Sequence, residues 1–181
     1  MKRTILQPAN LTGPPLAECK EWLGITRTNE DAEILALLHA SVDLCEAFIS
    51  QMPLEATCEE VLSAGADWQC LSTRPVRAIL EVNSLSQSGD ASPVPIADYD
   101  IDLDAEGKGM IRLSQLIDHS RIVVRFVAGI AQEWGDLPDA LRHGIIRLAA
   151  HHYRDRDATR SLAPPASVAA LWRPWRTLRV V

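Results

Sequence analysis

No apolar run in this 181-residue sequence approaches the ~20 residues needed to cross a bilayer, so no membrane partner is expected. The start, MKRTILQPANLTGPP, has a basic tip but lacks the apolar stretch of a secretory signal, and synthesis in the cytoplasm is the expectation. Paired cysteine motifs are missing as well. Cys19, Cys45, Cys58 and Cys70 form no CxxC pair and have no histidine at zinc-ligand spacing, so they read as reduced, buried small hydrophobes. GxSxG, GxGxxG, Walker-type loops and Cys/His nucleophile arrangements are absent, and no internal repeat appears. Nothing in the sequence therefore points to catalysis, a cofactor or a metal.

Acidic residues are missing from one end. After Asp157 there is none, while Arg160, Arg173, Arg176 and Arg179 follow unopposed. Residues 1–136 carry 10 Lys and Arg against 21 Asp and Glu, whereas residues 137–181 carry 8 Arg against 3 Asp. The net charge of −6 thus hides an acidic body and a basic end, which suggests that the two face different partners. With 47% hydrophobic and 23% charged residues, the rest of the composition is that of a globular protein.

Periodicity gives an α+β fold. Residues 14–24 form a helix with prolines in its first turn and Gly24 as its stop. A second helix spans 29–51, capped by Thr28 or Asn29, with Ile34, Leu38, Val42, Cys45 and Ile49 at three- and four-residue spacing. From 55 to 130 the period changes to two, in short stretches split by Gly, Pro, Ser and Asp. That pattern predicts a small, mostly antiparallel sheet. A third helix over 137–156 is expected, with Asp136 as cap, Leu141, Ile145 and Leu148 on its inner face, and His143, Arg147 and His151 opposite. The reading is one domain over 1–157, then a Pro-rich hinge and C-terminal tail over 158–181, with a short helix at SVAALW.

DYDIDLDAEGKG, residues 98–109, looks like a calcium loop and fails in detail. The helix–loop–helix calcium motif needs a glycine at its sixth position and a bidentate glutamate at its twelfth. Counted from Asp100 those positions hold Ala105 and Ile111; counted from Asp98 they hold Leu103 and Gly109. A strand explains the pattern better. Alternation puts Asp98, Asp100, Asp102 and Asp104 on one face and Tyr99, Ile101 and Leu103 on the other. The acids then become an exposed strand of a hairpin. The histidines also offer no site, since His143 and His151 lie roughly 12 Å apart along a helix.

LWRPWRTLRVV at the C terminus is a different case, with two tryptophans, three arginines and no acid. Trp and Arg dominate interface hot spots. Leu171, Trp172, Arg173, Trp175, Arg176, Leu178 and Arg179 are therefore expected to dock on a partner protein, although such a segment also has the composition to fold back on its own domain. A nucleic-acid arm would use the same residue types. The acidic body opposes that use by repelling phosphates.

The order of elements resembles the head–tail connector (adaptor) family of long-tailed phages, which has relatives in phage-like gene transfer agents. The resemblance rests on Pro75, Val76, Ile79 and Val82 in one strand, Tyr99 in another, Ala128 and Gly129 ending a third, Pro138 starting a helix, and Tyr153 and Arg156 closing it. His152 stands where the family usually has a tryptophan. The resemblance implies a structural, non-enzymatic subunit in a ring, typically dodecameric, beneath the portal of a filled head. Its partners would be other copies of itself, the portal protein and a stopper or tail-completion protein, with DNA passing through the channel without specific binding, and Asp98, Asp100, Asp102 and Asp104 would face a neighbouring subunit or that channel. It implies assembly in the bacterial cytoplasm and a final place in the particle neck. Another neck component, or a nucleic-acid-binding module gripping with its basic arm, is the alternative reading.

Overall fold

The computed structural model describes residues 3–115, 120–155 and 163–177. The chain is α+β and divides into two compact units, one of Met1–Pro8 with Glu55–Ile130, the other of Ala9–Leu54 with Ala131–Val181. This corrects the expected division at residue 157. The strand region is an insertion between helices, and the C-terminal segment belongs to the helical unit rather than standing apart.

The sheet unit holds two antiparallel sheets where the sequence suggested one. Its strands are β1 (Arg3–Gln7), β2 (Ala56–Ser63), β3 (Gln69–Cys70), β4 (Val76–Leu85), β5 (Ala91–Pro93), β6 (Tyr99–Leu103), β7 (Gly109–Leu113) and β8 (Arg121–Ala128). The larger sheet runs β1-β2-β8-β4-β5 and the smaller β3-β7-β6. β2 and β8 pair over eight residues in strict alternation, Ala56 opposite Ala128 through Ser63 opposite Arg121. One face of that ladder buries Cys58, Leu62, Ile122, Val124 and Phe126. The other carries Arg125, whose guanidinium reaches Glu59 on β2 at 2.9 Å and Glu81 on β4 at 3.1 Å. β4 alternates poorly in sequence because its register shifts between Val76 and Ala78 and again between Ile79 and Glu81. Each bulge adds one residue, Arg77 and Leu80, and returns Val82 to the buried face. β1 and β5 were not anticipated.

Glu60 is an exception on the buried face of β2, a fully buried carboxyl group. Among the described residues, the hydrogen bonds of its carboxylate come from the segment before β4. Ser72 donates its backbone N–H and hydroxyl, both at 2.8 Å, and Thr73 donates the same two groups at 3.0 and 2.6 Å. Buried polar groups persist where their hydrogen bonds are satisfied. Here one side chain anchors the loop that leads into Pro75.

The helical unit contains α1 (Pro14–Leu23), α2 (Asp31–Ile49), α3 (Asp139–Arg154) and α4 (Ala166–Trp172), followed by a 3₁₀ turn at Arg173–Trp175. Gly24 ends α1 in the left-handed region at φ 72°, as its position implied. The expected caps are corrected. Neither Thr28 nor Asn29 caps α2, and Asp136 does not cap α3; Glu30 and Pro138 precede those helices without side-chain cap bonds. Ile34, Leu38, Cys45 and Ile49 are buried on α2, and Leu141, Ile145 and Leu148 on α3, as the periodicity required. Val42, on the same predicted stripe of α2, is half-buried, as is Ile79 of β4.

Cys19, Cys45 and Cys58 are buried and Cys70 is half-buried. Burial, aided by the charge of Glu18, pushes the Cys19 thiol from 9.0 up to about 11; burial and then Glu46 push Cys45 further up. A thiol reagent at pH 8 should label Cys70 first and the other three only on unfolding, which mass spectrometry of the labelled peptides checks. Because the folded state holds Cys19 neutral, its contribution is intact below the unfolded pKa near 9.0. It is lost as pH rises through about 11, and the melting temperature should fall across that window.

Candidate interaction surfaces

The acidic strand sits where alternation placed it. β6 is the edge of the three-stranded sheet, paired on one side with β7, Asp100 opposite Arg112 and Asp102 opposite Met110. Ile111 and Leu113 of β7 are buried, on the sheet face that also carries Tyr99, Ile101 and Leu103. The aspartates do four different things. Asp98 ends a 3₁₀ turn and accepts the Ser114 amide on its carbonyl at 2.8 Å. Asp100 accepts from Arg112 Nε at 2.9 Å and the Ser114 hydroxyl at 3.2 Å, while the same guanidinium lies 4.7 Å from the Trp68 ring centre. Asp104 accepts the Lys108 amide at 2.7 Å and closes the hairpin. Asp102 is exposed, and its carboxylate has no hydrogen bond or ion pair among the described residues. The aspartates serve a hairpin, and among the described residues no cluster of three or more His, Cys, Asp or Glu is placed to hold a metal.

Gly107, at φ 74° in that hairpin, also explains why the turn needs glycine. A Cβ there would lie 2.8 Å from Pro75 Cα, so the hairpin turn packs directly on the start of β4.

Trp172 is corrected. It does not project from the helical unit; it is fully buried within it. Its indole N–H donates to the Leu141 carbonyl at 3.3 Å, and its ring stands 5.9 Å from that of Phe48. Gly144 of α3 leaves the space: a Cβ there would approach Trp172 Cε2 to 2.8 Å. The chain beyond is tied to the end of α2. Thr177 donates its amide to the Ile49 carbonyl at 3.1 Å and its hydroxyl to the same oxygen at 3.2 Å, and Gln51 Nε2 donates to the Trp175 carbonyl at 2.9 Å. The last carbonyls of a helix lack partners within it, and the C-terminal segment supplies one. Leu171 and Trp175 are half-buried, Arg173 and Arg176 are exposed, and Leu178 and Arg179 lie outside the described residues. The arginines remain available to a partner; the indole of Trp172 does not.

A third surface was missed in the sequence. Trp22 of α1, Arg147, His151 and Arg154 of α3, and Pro165, Ser167 and Val168 at the start of α4 line a groove of about 220 Å³. The polar stripe of α3 was legible, but its juxtaposition with Trp22, more than a hundred residues earlier in the chain, was not. Trp22 is 46% exposed and meets His143 edge-on, ring centres 5.0 Å apart.

The motif residues behind the family resemblance converge physically. Gly129 donates its amide to the Pro75 carbonyl at 2.9 Å, and Arg77, the first bulge residue of β4, donates Nε to the Gly129 carbonyl at 2.9 Å and a second nitrogen to Ile130. The Pro-Val strand and the Ala-Gly strand end are thus one lock. Tyr153 donates its hydroxyl to Glu30 at 2.7 Å, fixing the end of α3 to the start of α2, while Arg156 lies outside the described residues.

No family model and no curated protein sequence matches the chain. Solved structures do. A chain in the neck of an empty gene transfer agent particle, computed with C6 symmetry, superposes with a TM-score of 0.81 at 26% identity, covering 100% of this chain and 98% of that one. Chains in the neck of the native particle, computed with C12 symmetry, and in the virion of the native particle give TM-scores of 0.79 and 0.78 at 26% and 25% identity over the same extents. The whole-length match defines the class: a structural protein with the fold of phage-type particle necks. Within that class, the motif order of the chain resembles that of the head–tail connector (adaptor) proteins.

Proposed function

We propose that the protein is a ring subunit of the neck of a phage or gene transfer agent particle, joining the DNA-filled head to the tail and leaving a channel for DNA. The observation that carries this is the superposition over 100% of the chain, at a TM-score of 0.81, on a chain of a gene transfer agent neck. The C12 symmetry applied to one such neck supports a dodecamer. The net charge of −6 suits a lining past which DNA slides without sticking. The portal lies on one side of the ring and a stopper or tail-completion protein on the other, and the subunit is made in the bacterial cytoplasm. Portal docking uses Arg173 and Arg176 with the half-buried Trp175, through charge-assisted hydrogen bonds to carboxylates.

Deleting the gene in a producing cell should give filled heads without tails, visible by negative stain, and resupplying the protein should restore them. Tailed particles in the deletion strain would overturn the reading. Binding to a short DNA duplex at physiological salt should be weaker than micromolar, because a few arginines lose most phosphate affinity at that salt. Submicromolar binding in a fluorescence titration would favour a nucleic-acid-binding module instead.

A further inference from the structure

The groove between α1, α3 and the start of α4 joins two features that a folded chain rarely leaves unused. Arg147 is half-buried and Arg154 exposed, and neither guanidinium has an ion pair or hydrogen bond among the described residues. Beside them lies Trp22, 46% exposed, with Pro165 and Val168 as apolar walls. An arginine partly withdrawn from water gains by meeting a carboxylate, and an exposed tryptophan gains by being covered. The occupant should therefore be a segment with an uncommitted acid and adjacent apolar side chains.

The chain itself carries such a segment. On the free edge strand β6, Asp102 is uncommitted, and Ile101 and Leu103 on either side are 41% and 40% exposed. Neighbouring Asp100 already holds Arg112, so Asp102 is the carboxylate left to give. We infer that in the assembled ring the β6 edge of one subunit docks edge-on in the α1–α3–α4 groove of the next, with Asp102 on one face of the strand meeting Arg147 and Arg154 and Ile101 and Leu103 on the other covering Trp22. Two different surfaces meeting in this way make a head-to-tail contact, the kind that closes into a ring. The inference rests on the proposed neck reading and adds which faces the subunits use.

Charge reversal on each side tests it, using full-length protein in producing cells and tailed particles as the readout. Arg147→Glu with Arg154→Glu should lower the yield of tailed particles on the order of a hundredfold, because a weakened contact recurs at every step around the ring. Asp102→Arg should do the same. All three changes together should recover the yield to within about tenfold of wild type, since the swapped charges again attract. Cooperative thermal melting of each purified variant separates lost docking from lost folding. Wild-type yields from either reversal would overturn the inference. So would a groove defect with no effect of Asp102→Arg, which would assign the groove to an acidic segment of another neck protein, or a folded triple variant that recovers nothing. None of these outcomes touches the deletion result on which the neck reading stands.

Discussion

Replacing Trp172 with alanine should destabilise the protein by about 3–5 kcal/mol, the range for emptying a large buried aromatic site. The side chain is fully buried, and the space it fills is bounded by α3 through Gly144 and Leu141 and by α2 through Phe48. Losing it opens a cavity among three helices and deprives the Leu141 carbonyl of the indole donor. Gly144→Ala should reproduce much of the effect from the opposite side, because the added methyl cannot coexist with the indole at 2.8 Å. Removing residues 158–181 should likewise blur the cooperative melt of the helical unit. Arg173→Ala with Arg176→Ala, both exposed, should leave that melt within about half a kcal/mol of wild type while impairing attachment to the head. Urea unfolding followed by circular dichroism checks all four. A loss below about 1 kcal/mol for Trp172→Ala would show that the tryptophan is dispensable to the core and available to a partner.

Glu60→Ala is the second large effect expected, about 3–5 kcal/mol, and it acts in the sheet unit. The substitution removes the acceptor for two amides and two hydroxyls at Ser72 and Thr73 and leaves an empty volume on a face that excludes water. Glu60→Gln keeps the shape and one strong acceptor, so it should cost clearly less. Equal losses in urea midpoint from Ala and Gln would assign the whole effect to the carboxylate and its four donors. A Gln variant as stable as wild type would assign it to the filled volume alone. Thr73→Val, which removes one donor with its acceptor still served by three others, should be the mildest of the set.

The helices were legible because each carries one long apolar stripe at helical spacing, and α2 and α3 needed no information beyond Ile34, Leu38, Cys45, Leu141, Ile145 and Leu148. Strands with strict alternation, such as β2 and β8, were legible for the same reason. β4 was found but not its two bulges, since a bulge is set by the partner strand and leaves only an irregular burial pattern in sequence. β1 was invisible because an edge strand with four exposed residues of five carries almost no period-two signal. The same local reading failed at the candidate sites. LWRPWR looks like an interaction segment by composition, and only the absence of a side chain at Gly144, 28 positions earlier, makes room for Trp172 inside the unit. The groove around Arg147 and Arg154 needed Trp22 and Pro165 to be brought together by packing, which no window along the chain can report.

The insertion of the sheet unit has a mechanical consequence. The chain leaves the helical unit after Leu54 and returns at Ala131, and those two residues form a parallel bridge, with the Ala131 amide donating to Pro53 at 3.1 Å. β2 begins immediately after the exit, and β8 ends just before the return, with Ala56 opposite Ala128. Tension pulling the two connections apart would therefore load the β2–β8 ladder at one end and open it rung by rung, because antiparallel hydrogen bonds run perpendicular to the strands. The small clasp at Leu54 and Ala131 takes that load first. While it holds, the force runs past the sheet rather than through it.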